Sequence, residues 1–250
     1  MTMGTTTVTL QYDGDGNRVA KNVRSTTTRY LVDDLNPTGY PQVVEELVNG
    51  AVQRTYTHGL QRISQYQPIN SIWTASYYGY DGMGSVRFLT DTTGAVTDRY
   101  DYDAWGNAVN LTGSTPNAYL YRGEQYDPDL TLYYLRTRYL NPLTGRFLTR
   151  DPDFGDVKVP GTLHKYIYAN GDPVNSIDPM GRTSIEDDGF IDSTILRTIS
   201  RLVKYSSRQK RLITCTSATL IWSNIPGNED PSSMWLFFYK CMSRLAAPYN

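Results

Sequence analysis

Cysteine is nearly absent from this 250-residue chain: there are two, Cys215 and Cys241, and none before them. The first 214 residues therefore carry no disulfide framework. The late pair could bridge in an oxidising compartment, but two buried thiols are the favoured reading. Histidine is equally scarce. His58 and His164 lie far apart in sequence, so a metal site or a Ser-His triad would need partners from elsewhere, and both read as structural. No cofactor and no metal are expected. No stretch reaches the roughly 18 uninterrupted apolar residues of a membrane span. The N-terminal MTMGTTTVTLQYDGDGN has no basic region followed by an apolar run, so no signal peptide is visible. The formal net charge of −1 gives no global attraction to nucleic acid or to an anionic membrane.

Hydrophobic residues make up only 39% of the chain, so a core must draw on something besides aliphatic side chains. Tyrosine supplies it. There are 21, and 18 of them precede Arg182. Tyrosine suits a half-buried pleated sheet, with its ring packed and its hydroxyl at water or a partner.

Three segments share one pattern, Tyr-Asp-x-x-Gly-(Asn/Ser): from Tyr12, from Tyr80 and from Tyr102. The second and third start 22 residues apart, and the first and second 68, near three such periods. Such a period marks repeated supersecondary units. The turn has a mechanism: Asp caps it through its own side chain, and Gly supplies positive φ. Ser85 to Thr90 enters Asp91-Thr92-Thr93-Gly94, and Ala95 to Tyr100 leaves it, a β-hairpin pattern. At ordinary strand and loop lengths, about 180 residues make eight to twelve short strands. The first strands would present an open edge, which favours self-association.

These segments, with GYDGMGSVRFLTD and YDYDAWGN as the specific part, resemble the Tyr-Asp repeats of the Rhs family from about Val8 to Arg182. The stretch YYLRTRYLNPLTGRFLTRDP, followed by HKYIYANGDPVNSIDPMG, resembles the Rhs repeat-associated core domain. The resemblance implies a mainly β fold, a Tyr-Asp repeat strip forming part of a shell. Its domains would be a hairpin strip over 1–120, a core domain over 121–182 and a variable C-terminal extension over 183–250. In that family the core domain cuts its own chain just after the second Asp-Pro-x-Gly. The cut would then fall near Gly181, Arg182 and Thr183. Family members often carry an apolar residue where this chain has Arg182, which leaves the bond itself open.

The resemblance also implies the site residues. Asp151 matches the aspartate of Gly-Arg-Phe-x-x-x-Asp-Pro. Asp178 matches that of the terminal Asn-x-x-Asp-Pro-x-Gly cluster. Arg138 matches the arginine of Arg-Tyr-x-x-Pro. The chemistry fits an aspartyl-type protease. Two carboxylates held close share a proton, giving one acid and one base. The base activates water, and the acid protonates the departing amine. A fixed arginine can orient a carboxylate or hold it ionised. Against this, Asp-Pro is an ordinary turn starter, and the chain has five, at Asp127, Asp151, Asp172, Asp178 and Asp230. His164 falls inside the core motif and could pack near the pair.

After Arg182 the Tyr-Asp pattern vanishes and tyrosine falls to three. Ile191, Ile195, Leu196, Ile199, Leu202 and Val203 recur at amphipathic helical spacing behind Ser184-Ile185-Glu186-Asp187-Asp188. Met234 to Ala247 reads as a second helix, so the extension is expected to be α-rich. Arg197, Arg201, Lys204, Arg208, Lys210 and Arg211 could touch nucleic acid, but a solvated helix face explains them more simply. The apolar run from Met234 to Tyr239 fits a core helix better than a membrane surface. By resemblance the extension is a toxin payload held by the shell part and delivered to target cells. An immunity protein and a secretion-system carrier are its implied partners. The alternative is a non-enzymatic structural or surface-binding repeat fragment with no active toxin.

Overall fold

The computed structural model describes residues 2–3, 6–155, 157, 160–182 and 185–186. The chain divides into two units, Met1–Phe190 and Ile191–Asn250. The second lies outside the described residues, with the expected helices, the basic run and both cysteines.

Eleven strands form one antiparallel sheet in which each strand pairs with its neighbours in sequence. They are β1 (Thr2–Met3), β2 (Thr6–Tyr12), β3 (Arg18–Val23), β4 (Thr26–Asp33), β5 (Gln42–Val48), β6 (Ala51–His58), β7 (Arg62–Ile69), β8 (Ile72–Tyr80), β9 (Val86–Thr90), β10 (Val96–Tyr102) and β11 (Ala108–Thr112). A second antiparallel sheet follows: β12 (Gln125–Asp127), β13 (Leu132–Leu135), β14 (Arg138–Asn141) and β15 (Arg146–Phe147). A short pair, β16 (Ser176–Ile177) and β17 (Ile185–Glu186), completes the set.

The sequence leads one to expect eight to twelve strands; the described residues hold seventeen, because some connections need only two residues and four strands have only two. Asn49-Gly50 joins β5 to β6, and Asn70-Ser71 joins β7 to β8, with φ of +49° and +87° in the first and +51° and +67° in the second. Positive φ at both central residues matches the right-handed strand twist, so two residues suffice. The Tyr-Asp turns behave as their composition demands. Asp103 Oδ1 accepts the amides of Trp105 and Asn107, each at 2.9 Å, and Gly106 sits at φ +92°. Asp13, Asp81 and Asp91 cap their turns in the same way. In the expected hairpin, Val96 pairs with Thr90 and Arg99 with Phe88. β11 lies at an edge of the large sheet, and all five of its residues are exposed.

The large sheet buries one face against the second sheet and the segment leading to it. Val8 of β2 packs with Leu130, Leu132, Tyr134 and Tyr139. Tyr30, Val43 and Tyr56 pack on Tyr119. Tyr121, Tyr133, Leu135, Leu140, Phe147 and Tyr168 form the cluster beneath the candidate site. The buried face is polar as well as aromatic. Arg18 Nη1 meets Asp127 Oδ2 at 2.9 Å, and its guanidinium lies 4.6 Å from the Tyr134 ring centroid. Lys21 Nζ reaches the other oxygen of Asp127 at 2.8 Å. Tyrosine rings thus give the few aliphatic side chains a partner and give the buried cations a π face.

Candidate functional site

β14 begins at Arg138, and its side chain is 2% exposed. The Arg-Phe turn strand β15 pairs beside it, and the Arg138 guanidinium carbon lies 3.7 Å from the Phe147 ring centroid. Stacking on an aromatic face fixes the fork and leaves its donors pointing along the ring plane. Nη2 meets Asp151 Oδ2 at 2.8 Å and Asp178 Oδ2 at 3.2 Å. Nε donates to the Gly181 carbonyl, and Nη1 donates to the Lys165 carbonyl at 3.3 Å. The three residues matched to the self-cleaving motif therefore sit together, although 40 positions separate Arg138 from Asp178.

Each aspartate is held by turn geometry. Asp151 donates its amide to the Lys165 carbonyl at 2.8 Å, while its Oδ1 accepts the Asp153 amide at 2.9 Å. Asp178 is 2% exposed; its carbonyl accepts the Gly181 amide at 3.2 Å, and its Oδ1 accepts the Arg182 amide at 2.9 Å. The two atoms of the Gly181–Arg182 bond that matter for hydrolysis both face the cluster. The carbonyl oxygen meets Arg138, and the amide nitrogen meets Asp178. A cation on a carbonyl oxygen withdraws electron density from its carbon, and a carboxyl group on the amide side stands where a leaving amine needs a proton.

A cleft of about 240 Å³ opens at this cluster, lined by Arg138, Asp151, Asp178 and Arg182 together with Asp153 and His164. Its size admits water. Arg182 closes one side through an ion pair with Asp153 at 3.4 Å, half-exposed on both partners. His164 lies at this cleft, its Nδ1 accepting the Tyr166 amide at 3.3 Å. His58 lies elsewhere, in β6 beside Tyr56 and Arg62. Burial, with Arg62 nearby, pulls its pKa down to about 3. Thr183 lies outside the described residues. Among the described residues no group of His, Cys, Asp and Glu could hold a metal ion, and no helix is long and apolar enough to cross a membrane.

Several residues of the site have no counterpart in the sequence reading. The turn between β13 and β14 is Arg136-Thr137, with Arg136 at φ +56°. Arg136 Nη1 lies 2.8 and 2.9 Å from the two Glu124 carboxylate oxygens and donates to the Pro179 carbonyl. Burial pushes the Glu124 pKa up, and Arg136 pulls against it. Thr137 donates its amide to the Met180 carbonyl at 3.3 Å. A tight turn without Gly, Asn or Pro carries no local signal, and the one feature that could have pointed to it is the spacing of Arg136 and Arg138.

Comparison with known proteins matches residues 74–174 to the Teneurin YD-shell family model. The chain is 35% identical over 178 residues to the tRNA nuclease WapA of Bacillus subtilis, a match covering 69% of this chain and 7% of that protein. It is 40% identical over 95 residues to the putative uncharacterized protein YlbH of Escherichia coli, covering 37% of this chain and 38% of YlbH. The crystal structure of TcdB2-TccC3 without its hypervariable C-terminal region aligns with a TM-score of 0.54 at 22% identity, over 70% of this chain and 9% of that one. The chain thus spans a small fraction of the WapA and TcdB2-TccC3 chains that it matches.

Proposed function

This chain is a YD-repeat protein of the Rhs type, and from that premise we propose that it is the terminal part of a toxin-related protein whose core region cuts its own backbone. The bond in question is Gly181–Arg182, and the cut separates the β part from a C-terminal payload. One observation carries the reading: Arg138 holds the Gly181 carbonyl and both aspartates at once, while Asp178 receives the Arg182 amide.

In the proposed reaction Asp151 takes a proton from a water in the cleft. The hydroxide oxygen bonds to the Gly181 carbonyl carbon, and Arg138 stabilises the negative charge that develops on the oxygen. The proton gained by the aspartate pair is then delivered through Asp178, which already faces the Arg182 amide, to the Arg182 nitrogen as the carbon–nitrogen bond breaks. The products are a Gly181 carboxylate and a new amino terminus at Arg182. No substrate affinity is required, because the bond is tethered in the cleft at high effective concentration. The likeness to a protein named a tRNA nuclease supports a toxin-related payload; delivery to target cells, with an immunity protein and a carrier as partners, is what the Rhs resemblance implies.

A structural reading competes on the same cluster. A buried guanidinium neutralised by two carboxylates would fasten residues 178–182 whether or not anything is cut. Substitution separates the two. Asp151→Asn and Asp178→Asn keep the shape but cannot trade a proton, so each should leave the chain whole with its β-sheet circular dichroism intact. Arg138→Ala should slow the cut severely. A wild-type rate in either Asn variant would remove that aspartate from the mechanism.

A further inference from the structure

The segment entering the site is gripped by three consecutive residues of one hairpin turn. Arg136 takes the Pro179 carbonyl, the Thr137 amide takes the Met180 carbonyl, and Arg138 takes the Gly181 carbonyl. Successive donors on the turn thus meet successive acceptors on the segment. The two backbones also touch. A Cβ on Gly181 would lie 2.5 Å from the Leu135 carbonyl oxygen and 3.1 Å from the Arg138 nitrogen, and Gly181 sits at φ +65°. Only glycine allows that approach.

Arg136 has features of a residue kept for its side chain. Its positive φ disfavours any residue with a Cβ by roughly 1–2 kcal/mol, and glycine would be the ordinary choice there. Arginine occupies the position instead, and four contacts brace it. Glu124 faces Nη1 with both oxygens, Nε donates to the Pro41 carbonyl at 3.3 Å, and the guanidinium carbon lies 5.3 Å from the Tyr40 ring centroid. The fourth is the Pro179 carbonyl itself. Tyr40 and Pro41 belong to the connection between β4 and β5, so the turn is anchored to the large sheet as well as to its own.

We propose that the Arg136-Thr137-Arg138 turn is a register clamp, which selects the peptide bond presented to Asp151 and Asp178, with Arg136 as its positioning residue braced by Glu124. Arg138 alone fixes only one carbonyl, and a segment held at one point can slip by a residue. Three points of contact in sequence hold the segment against the turn, and a one-residue slip would bring a residue with a Cβ to the place where only Gly181 fits, 2.5 Å from the Leu135 carbonyl oxygen. The proposal rests on the self-cleavage reading for its consequence, but the clamp can be observed without any cut.

The test uses the full chain in two ways. In the Asp151→Asn background, amide hydrogen exchange is followed at Thr137, Gly181 and Arg182. Adding Arg136→Ala should speed exchange at all three by at least about tenfold, the weight of one hydrogen bond to a charged group. Arg136→Lys, which keeps the charge on Glu124 with a smaller set of donors, should fall between. Gly181→Ala should have the same effect from the opposite side, without disturbing the Arg136–Glu124 pair, should Arg136→Ala fold poorly. In the otherwise unaltered chain, the fragment ends are then read by mass. The parent should yield a single pair of ends, and Arg136→Lys a slower cut with ends spread over neighbouring bonds. Unchanged exchange in both Arg136→Ala and Gly181→Ala would overturn the clamp. So would a single unshifted bond cut at the parent rate in Arg136→Lys. Faster exchange in these variants, together with a parent chain that never cuts, would uphold the clamp and sink the self-cleavage reading instead.

Discussion

Replacing Asp127 with Asn should unfasten the second sheet from the large one. The Asp127 side chain is 1% exposed and neutralises two cations, Arg18 Nη1 at 2.9 Å and Lys21 Nζ at 2.8 Å. Lys21 keeps a second partner in half-exposed Asp129, also at 2.8 Å. Among the described residues Arg18, whose own side chain is 1% exposed, keeps only neutral ones: Gln125 at 2.7 Å, the Tyr139 hydroxyl at 3.3 Å and the Tyr30 and Tyr134 rings. Breaking a buried pair by removing one partner costs about 3–5 kcal/mol. The two rings offset about 1–2 kcal/mol of that. The net is a loss of about 3 kcal/mol, which at a slope of about 2–3 kcal/mol per molar urea lowers the midpoint by about 1–1.5 M. Circular dichroism during urea unfolding reads it directly. Arg18→Met added to Asp127→Asn should restore most of the loss, because an apolar side chain of similar volume leaves no charge uncompensated. A midpoint shift below about 0.3 M at unchanged slope would refute the claim that this pair fastens the two sheets.

Two glycines with similar backbone angles should respond differently to alanine. Gly94→Ala meets open space at φ +84° and should cost roughly 1–2 kcal/mol from backbone strain alone. Gly106→Ala would also place a Cβ 2.7 Å from the Tyr121 ring. It should cost about 1–3 kcal/mol more by overpacking, and equal melting temperatures for the two variants would contradict the packing claim. His58 has its pKa pulled from 6.5 down to about 3 by burial beside Arg62. The unfolded chain therefore binds the extra proton first, and the stability His58 contributes above pH 6.5 is lost progressively as pH falls toward 3. After screening is allowed for, His58→Gln should remove about 1–2 kcal/mol of the difference between pH 7 and pH 4, and an unchanged acid slope would show that His58 takes up its proton in the folded chain. Expressing residues 183–250 in bacteria should slow growth and residues 1–182 should not; arrest from 1–182 would overturn the division of labour.

The repeat turns were legible because their chemistry is local. Asp, two spacers, Gly and Asn or Ser specify a capped turn with one positive φ, and the Asp103 turn carries out each part. The proximity of Arg138, Asp151 and Asp178 was legible only through the family resemblance, since nothing local joins positions so far apart. The contact of Arg18 with Asp127 spans 109 positions and left no trace in the pattern. A basic residue in an alternating strand reads as solvent-facing, and burial among tyrosines reverses that. The expected strand count falls short because the turns at Asn49-Gly50 and Asn70-Ser71 need only two residues, and because β1, β15, β16 and β17 are strands of only two residues. The Arg136 turn stayed hidden for the opposite reason: it places a residue with poor turn propensity where the backbone would favour glycine, and its side-chain contacts compensate.

Intact-mass analysis of freshly purified chain, followed over hours at neutral pH, tests self-cleavage most directly. The expected result is loss of the 28.3 kDa species and appearance of two fragments whose masses together equal it plus one water. One should end at Gly181 and the other begin at Arg182, and neither should form from Asp151→Asn. A chain that stays whole, or that breaks only at Asp-Pro bonds and only in acid, would contradict it.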